Sequence, residues 1–216
     1  MPDISLLEKI LVYAIPIIFA ITVHEVAHGW VANRFGDATA RLKGRLTLNP
    51  IKHVDPVGTL IVPVILLYLT NFVFGWAKPV PVDWRNLHNP RRDMALVALA
   101  GPAANLIMML LWMTLAWMVL AIGVMPWKLM EYSLMMCDAG IFINIILMVL
   151  NLLPLLPLDG GRVLVSLLPQ SLARYYARLE PAGLIVILLL LVTGYLQKIL
   201  VPPVFGLYNL AIRLIS

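Results

Sequence analysis

Charge is scarce in this chain: Lys, Arg, Asp and Glu make up 12% of 216 residues, and hydrophobic types make up 62%. An ordinary soluble domain carries about twice that charge. A water-soluble fold is therefore excluded, and too little polar sequence remains for a separate soluble module. We expect one membrane-embedded domain over residues 1–216, in contact with the lipid bilayer. Cysteine is nearly absent. Cys137 stands alone, so there is no internal disulfide and no thiolate cluster, and any bound metal must use histidine and carboxylate. There is no basic block interleaved with aromatics, so the net charge of +5 does not point to nucleic acid. Nor is there a repeat, a low-complexity tract or a flexible linker. The first apolar run, from Ile10 to Val23, lacks the form of a cleaved signal: only Lys9 precedes it, and it runs directly into His24 and Glu25.

What is present is a series of apolar runs. Taking about 20 residues as one crossing, the runs predict helices at 5–34, 94–123, 132–153 and 182–200, an all-α polytopic membrane protein. The run 57–74 is shorter and contains Pro63 and Asn71. The tail 204–216 carries Arg213 and is too short to cross, so it belongs at an interface or against the bundle. Between the first helix and the run at 57, Arg45, Thr47 and Asn49 alternate with Leu46 and Leu48, with Gly44 before them and Pro50 after. That is the period of a strand, and it predicts a small membrane-associated β-element. In 75–82, GWAKPVPV, Pro79 and Pro81 forbid helix and allow at most an edge strand.

The chemistry is concentrated in His24-Glu25-Val26-Ala27-His28. Residues four apart on a helix share a face, so both imidazoles reach one ion, and Glu25 beside them can hold its water. An ionised residue at mid-helix in a membrane costs about 2.5–3.5 kcal/mol, so this polar cluster needs a compensating partner, and a metal is the obvious one. Two histidines leave zinc short of the usual three protein ligands. His53 and His88 lie in charged loops, where solvation accounts for them. Asp159 follows the apolar run 141–158, where Pro154 and Pro157 break the helix and Gly160 and Gly161 permit close approach. Broken helix in a membrane is tolerated where it lines a cavity, which makes Asp159 the preferred third ligand over a simple helix cap.

HEVAH at 24–28, together with Asn151-Leu152-Leu153-Pro154 and Leu158-Asp159-Gly160, resembles the site-2 protease family of intramembrane zinc metalloproteases. Gly101-Pro102-Ala103-Ala104-Asn105 and the GWAKPVPV stretch match it as well. The resemblance implies a three-helix catalytic core with extra helices around it. It implies Zn2+ held by His24, His28 and Asp159, with Glu25 as general base and acid and Asn151 near the scissile peptide. It also implies membrane-anchored protein substrates, often already cut once, that are unwound and bound as an added strand; Gly44, Arg45, Leu46, Thr47, Leu48 and Asn49 are the expected edge. No room is left for a PDZ-type filter. Asn105 and Asn144 read as interhelical packing bonds. A metal-ion transporter or a catalytically silent membrane scaffold would use the same ligands but does not require Glu25 beside His24.

Topology follows from counting crossings. For His24, His28 and Asp159 to meet, the first helix and the helix from 132 must end at one face. The loop 35–56 and the stretch 75–93 then share that face, and 57–74 enters and leaves by it. That face collects twelve Lys and Arg, from Arg34 to Arg178, against Lys9, Lys128 and Lys198 on the other, with Arg213 unassigned. The positive-inside rule makes it cytoplasmic. The expectation is a multi-pass cell-membrane protein with its active site towards the cytoplasm and its N-terminus outside.

Overall fold

The computed structural model describes residues 6–62, 65 and 77–215. Among these the regular elements are helical, and four helices are long and apolar enough to cross a membrane. The first is α1, Leu6–Arg34. A four-residue helix, α2, Thr39–Leu42, follows it. The next two long helices are α3, Pro90–Ile122, and α4, Trp127–Asn151. Pro90 opens α3 where its missing N–H is no loss, and Gly123 ends it in the left-handed conformation at φ 63°.

The ends of these helices show how they run. Tyr132 Oη, near the start of α4, donates to Glu8 Oε1 near the start of α1 at 2.6 Å, and at the opposite end His24 and His28 of α1 meet Asp159, just beyond α4. Thus α1 and α4 run parallel, with α3 antiparallel between them. The packing at their centre is close: a Cβ on Gly140 would lie 2.4 Å from the Trp112 ring.

The loops on either side of the run 57–74 lie together at the site end. Asp37, fully buried, accepts from the Asp83 amide at 2.8 Å and from Asn86 Nδ2 at 3.0 Å, while the His88 amide donates to Phe35 O and the Lys78 amide to His53 O. Burial alone would raise the Asp37 pKa, but the bonds from Asn86, Thr39 and the Asp83 amide outweigh it and hold the carboxyl below its usual range. The loop before the run and the stretch after it therefore lie at one end. Only the start of the run, Pro56–Ile61, and Val62 and Ile65 are described; the rest of its course lies outside the described residues.

The expected β-element is not formed among the described residues. Residues 43–49 are irregular, their bonds running to turn carbonyls and to side chains with no partner strand among the described residues. Thr47 O accepts from His53 Nε2 at 2.9 Å, the Asn49 amide donates to Thr47 Oγ1, and the Arg45 guanidinium reaches across to Lys78 O at 2.8 Å. Residues 77–82 are also without ladder bonds, as Pro79 and Pro81 would dictate.

The C-terminal region differs from expectation as well. Three short helices follow the break after α4: α5, Asp159–Leu167; α6, Gln170–Ala177; and α7, Glu180–Val192, bent 62° from α6. The helix expected over 182–200 is divided at Gly194, φ 76°, a conformation that glycine adopts without strain. The chain then continues as α8, Tyr195–Ile215, long enough to cross. Residues 204–215 are thus part of a full-length helix within the bundle: Val204 and Ala211 pack with Met109, Ile141 and Ile145. Leu196, in the first turn of α8, belongs to the cluster on which Leu150 and Leu153 pack, whereas Tyr208 bonds Asp138 further back along α4. So α8 runs antiparallel to α4, which moves Lys198 to the site end and Arg213 to the other and leaves the charge asymmetry intact.

Candidate metal centre

The site is built on the buried faces of α1, α3 and the start of α5. His24 Nε2 and His28 Nε2 lie 3.0 Å apart, each 3.3 Å from Asp159 Oδ2. His24 is 7% exposed and Asp159 9%. The spacing on α1 puts the imidazoles on one face, and the proline-broken turn at 152–158 swings Asp159 back onto them. That turn is tight: a Cβ on Gly160 would lie 2.4 Å from both Leu152 O and Leu153 O.

The protonation of the rings follows from their other nitrogens. His28 Nδ1 is 2.7 Å from Val97 O. A carbonyl only accepts, so Nδ1 carries a proton. His24 Nδ1 is 2.6 Å from Asn105 Oδ1, and the orientation of that amide is set by Asn105 Nδ2, which donates to Ala20 O at 3.3 Å and Asn144 Oδ1 at 2.9 Å. Asn144 Nδ2 in turn donates to Gly140 O. Both Nδ1 atoms are donors, so the neutral rings present lone pairs at Nε2. With both rings neutral, two such lone pairs and a carboxylate oxygen converge, and Asp159 Oδ2 is buried without a hydrogen-bond partner. Three acceptors this close repel unless a cation lies between them. Their separations, all within 4.8 Å, suit one metal ion.

Two supports escaped sequence reasoning. Asn105 is the group that orients His24, a role that outer-shell partners of metal-binding imidazoles commonly play, and Asn144 orients Asn105. The bond between Asn105 and Asn144 is the interhelical one the sequence predicts; that Asn105 Oδ1 turns to His24 is what it leaves out. Gly101 is the second: a Cβ there would fall 2.4 Å from His28 Nε2 and 2.6 Å from His24 Nε2, so α3 can pass beside the ligand atoms only without a side chain.

Glu25 is held from outside the helix. Its Oε2 accepts from the Val80 amide at 2.7 Å. Pro79 and Pro81 have no N–H, so the one donor between them is aimed at the carboxylate. Leu46 and Val80 both press on α1 beside the site: a Cβ on Gly29 would meet them at 2.6 and 2.7 Å. Among the other expected residues, Asn151 donates to Leu147 O of its own helix at 3.0 Å and is not turned to the cluster. His53 is buried but bonded to Thr47 O, and neither it nor His88 joins the cluster.

A membrane bundle that holds two imidazoles, a carboxylate and an adjacent glutamate in this arrangement defines a metallopeptidase class, and comparison with known proteins agrees. The profile described as peptidase family M50 matches residues 122–194. A candidate zinc metalloprotease of Bacillus subtilis (strain 168), YwhC, is 40% identical over 189 residues, covering 87% of this chain and 83% of its own. A second, Rip2 of Mycolicibacterium smegmatis, is 32% identical over 84% of this chain and 66% of its own. Rip2 of Mycobacterium tuberculosis (strain H37Rv) is 28% identical over 89% and 71%. No solved structure matches. The chain belongs to peptidase family M50, the site-2 protease family that its motifs resemble.

Proposed function

We propose that this chain is an intramembrane zinc endopeptidase that hydrolyses peptide bonds in or near the transmembrane segments of membrane-anchored proteins. The observation that carries the reading is the convergence of three metal-ligating atoms, from His24, His28 and Asp159, beside Glu25 within an apolar bundle. These residues would hold one Zn2+ per chain; the relatives YwhC and Rip2 are named for zinc, and a nitrogen and carboxylate set with one position left open suits a catalytic zinc. When bound, the ion supplies Lewis acidity, lowering the pKa of a water towards about 7 and polarising the substrate carbonyl.

The remaining work falls to the chain itself. Glu25 takes the water proton and returns a proton to the leaving amine. The Val80 amide engages one carboxylate oxygen, which orients Glu25 and leaves the other for proton transfer. Asn151, by swinging away from Leu147 O, would donate its amide to the developing oxyanion. The backbone of residues 44–49 receives the substrate as an extended strand, which exposes the scissile carbonyl that a helix would hide. Its irregular conformation supports this role, because the amides of Leu46, Thr47 and Leu48 are not spent on bonds among the described residues. The site end faces the cytoplasm and the N-terminus lies outside, on the charge asymmetry described above.

The test is a pair of variants in purified protein. Glu25→Gln should keep about one zinc per chain and lose cleavage of a transmembrane reporter, since Glu25 is not a ligand. Asp159→Ala should lose the metal as well. Cleavage at the wild-type rate by Glu25→Gln would refute the mechanism, and zinc flux through that variant would indicate a transporter.

A further inference from the structure

A second concave site lies at the same end of the bundle, away from the metal ligands and sharing only Arg45 with the expected substrate edge. It is an open cavity of about 530 Å³ lined by Lys43, Arg45, Lys52 and Lys78, with Ile51 and Val54 as its main apolar wall. Four cations and no carboxylate face it, an arrangement that is unfavourable without an anion. Among the described residues Lys43, Lys52 and Lys78 form no ion pair. Arg45 spends a terminal nitrogen on Lys78 O, while its Nε is buried with no partner. Asp55, the nearest acid in the sequence, has Oδ1 committed to the amides of Val57 and Gly58.

Beside these cations the surface is apolar and open, with Leu42 80% exposed and Ile51 78%. In water this pairing is unfavourable. At the rim of a bilayer it is stable, since apolar side chains enter the acyl boundary while ammonium groups meet phosphates. We propose that this cavity binds the phosphodiester headgroup of an anionic phospholipid, with its acyl chains leaving along Ile51 and Val54. The phosphate oxygens would accept charge-assisted bonds from Lys43, Lys52 and Lys78. A soluble anion or an acidic peptide would satisfy the cations but leave the apolar rim unexplained. Binding of this kind needs neither Glu25 nor the metal, so it stands or falls separately from the proteolytic reading.

The experiment is native mass spectrometry of the full chain titrated with phosphatidylglycerol or phosphatidylcholine. Phosphatidylglycerol should be retained at least about tenfold better, since each cation near a bilayer surface contributes roughly fivefold. Neutralising three of them as Lys43→Gln, Lys52→Gln and Lys78→Gln together should weaken retention on the order of a hundredfold. Arg174→Gln with Arg178→Gln, exposed at the same end but outside the cavity, should leave it unchanged. If the triple variant does not fold, Lys52→Gln alone should lose about fivefold. Equal retention of the two lipids would overturn the proposal, as would an equal loss in the Arg174 and Arg178 control. Displacement of the lipid by millimolar inorganic phosphate would assign the cavity to free anions, and displacement by an acidic peptide would assign it to protein segments; either result overturns the lipid assignment.

Discussion

Gly101→Ala is the most direct probe of how the metal centre is packed. The added methyl would sit 2.4 Å from His28 Nε2, 2.5 Å from His24 Cε1 and 2.6 Å from His24 Nε2, about 1 Å inside a normal contact of roughly 3.5 Å. In a helix interior alanine is favoured over glycine by about 1 kcal/mol, so α3 itself is not weakened and the cost is steric. Neither imidazole can yield freely, because Asn105 Oδ1 and Val97 O hold their Nδ1 atoms. Overpacking costs about 1–3 kcal/mol, and each hydrogen bond stretched away about 0.5–1.5 kcal/mol. Together these come to roughly 3 kcal/mol, and because the displaced atoms are the ligand nitrogens the loss should appear as about a hundredfold in zinc affinity. The assay is zinc per chain across a chelator competition series, with Gly206→Ala as control, where an added Cβ meets nothing within 4 Å. Zinc affinity within threefold of wild type in Gly101→Ala would refute the packing argument, because it would mean that the rings move without penalty.

Three further predictions test other parts of the reasoning. Asn105→Ala should lower zinc affinity about 10- to 100-fold, the usual cost of losing an outer-shell partner, while Asn105→Gln should recover part of it; equal loss in both would mean that Asn105 only fills space. Thr47→Pro and Leu48→Pro remove backbone donors not used within the fold, so each should keep full zinc and cleave at least about tenfold more slowly if a strand pairs there; normal cleavage by both would exclude strand addition at 44–49. Single cysteines at positions 43 and 85 should both be labelled by an impermeant reagent only from the cytoplasmic side, since the loops that carry them are bonded together through Asp37, Asp83 and Asn86. Labelling from opposite faces would contradict both the charge rule and the shared position of these loops.

The contrast between what was legible in the sequence and what was not follows the range of the forces involved. The apolar runs of α1, α3 and α4 declare themselves because a bilayer demands about 20 apolar residues per crossing, whatever the neighbours. The four-residue spacing of His24 and His28 places both imidazoles on one face by helix geometry alone, and Pro154 and Pro157 announce a broken helix ahead of Asp159. Two features differ from what local pattern predicts. The alternation at 44–49 has the period of a strand, but a strand exists only with a partner, and among the described residues none lies beside it: Thr47 O bonds His53 and the Arg45 guanidinium goes to Lys78 O. The run 182–200 is continuous in hydropathy, and only packing of Ile187, Leu191 and Leu196 against the end of α4 makes the chain turn at Gly194 and return as a full helix. Asn105 and Asn144 do form the interhelical bond expected of them, but a single sequence does not say that Asn105 also faces His24.

The sequence by itself thus determined the solvent of the fold, the long apolar helices α1, α3 and α4, and the chemistry of the first two donors, since each depends on composition or on spacing along one helix. Only the tertiary structure decided that Asp159 lies 3.3 Å from both imidazoles, that Asn105 fixes the tautomer of His24, that Val80 holds Glu25, and that Gly101 leaves room for the ligand nitrogens. Each of these joins residues more than fifty positions apart. Directional bonds of about 3 Å between such residues exist only once the helices have packed.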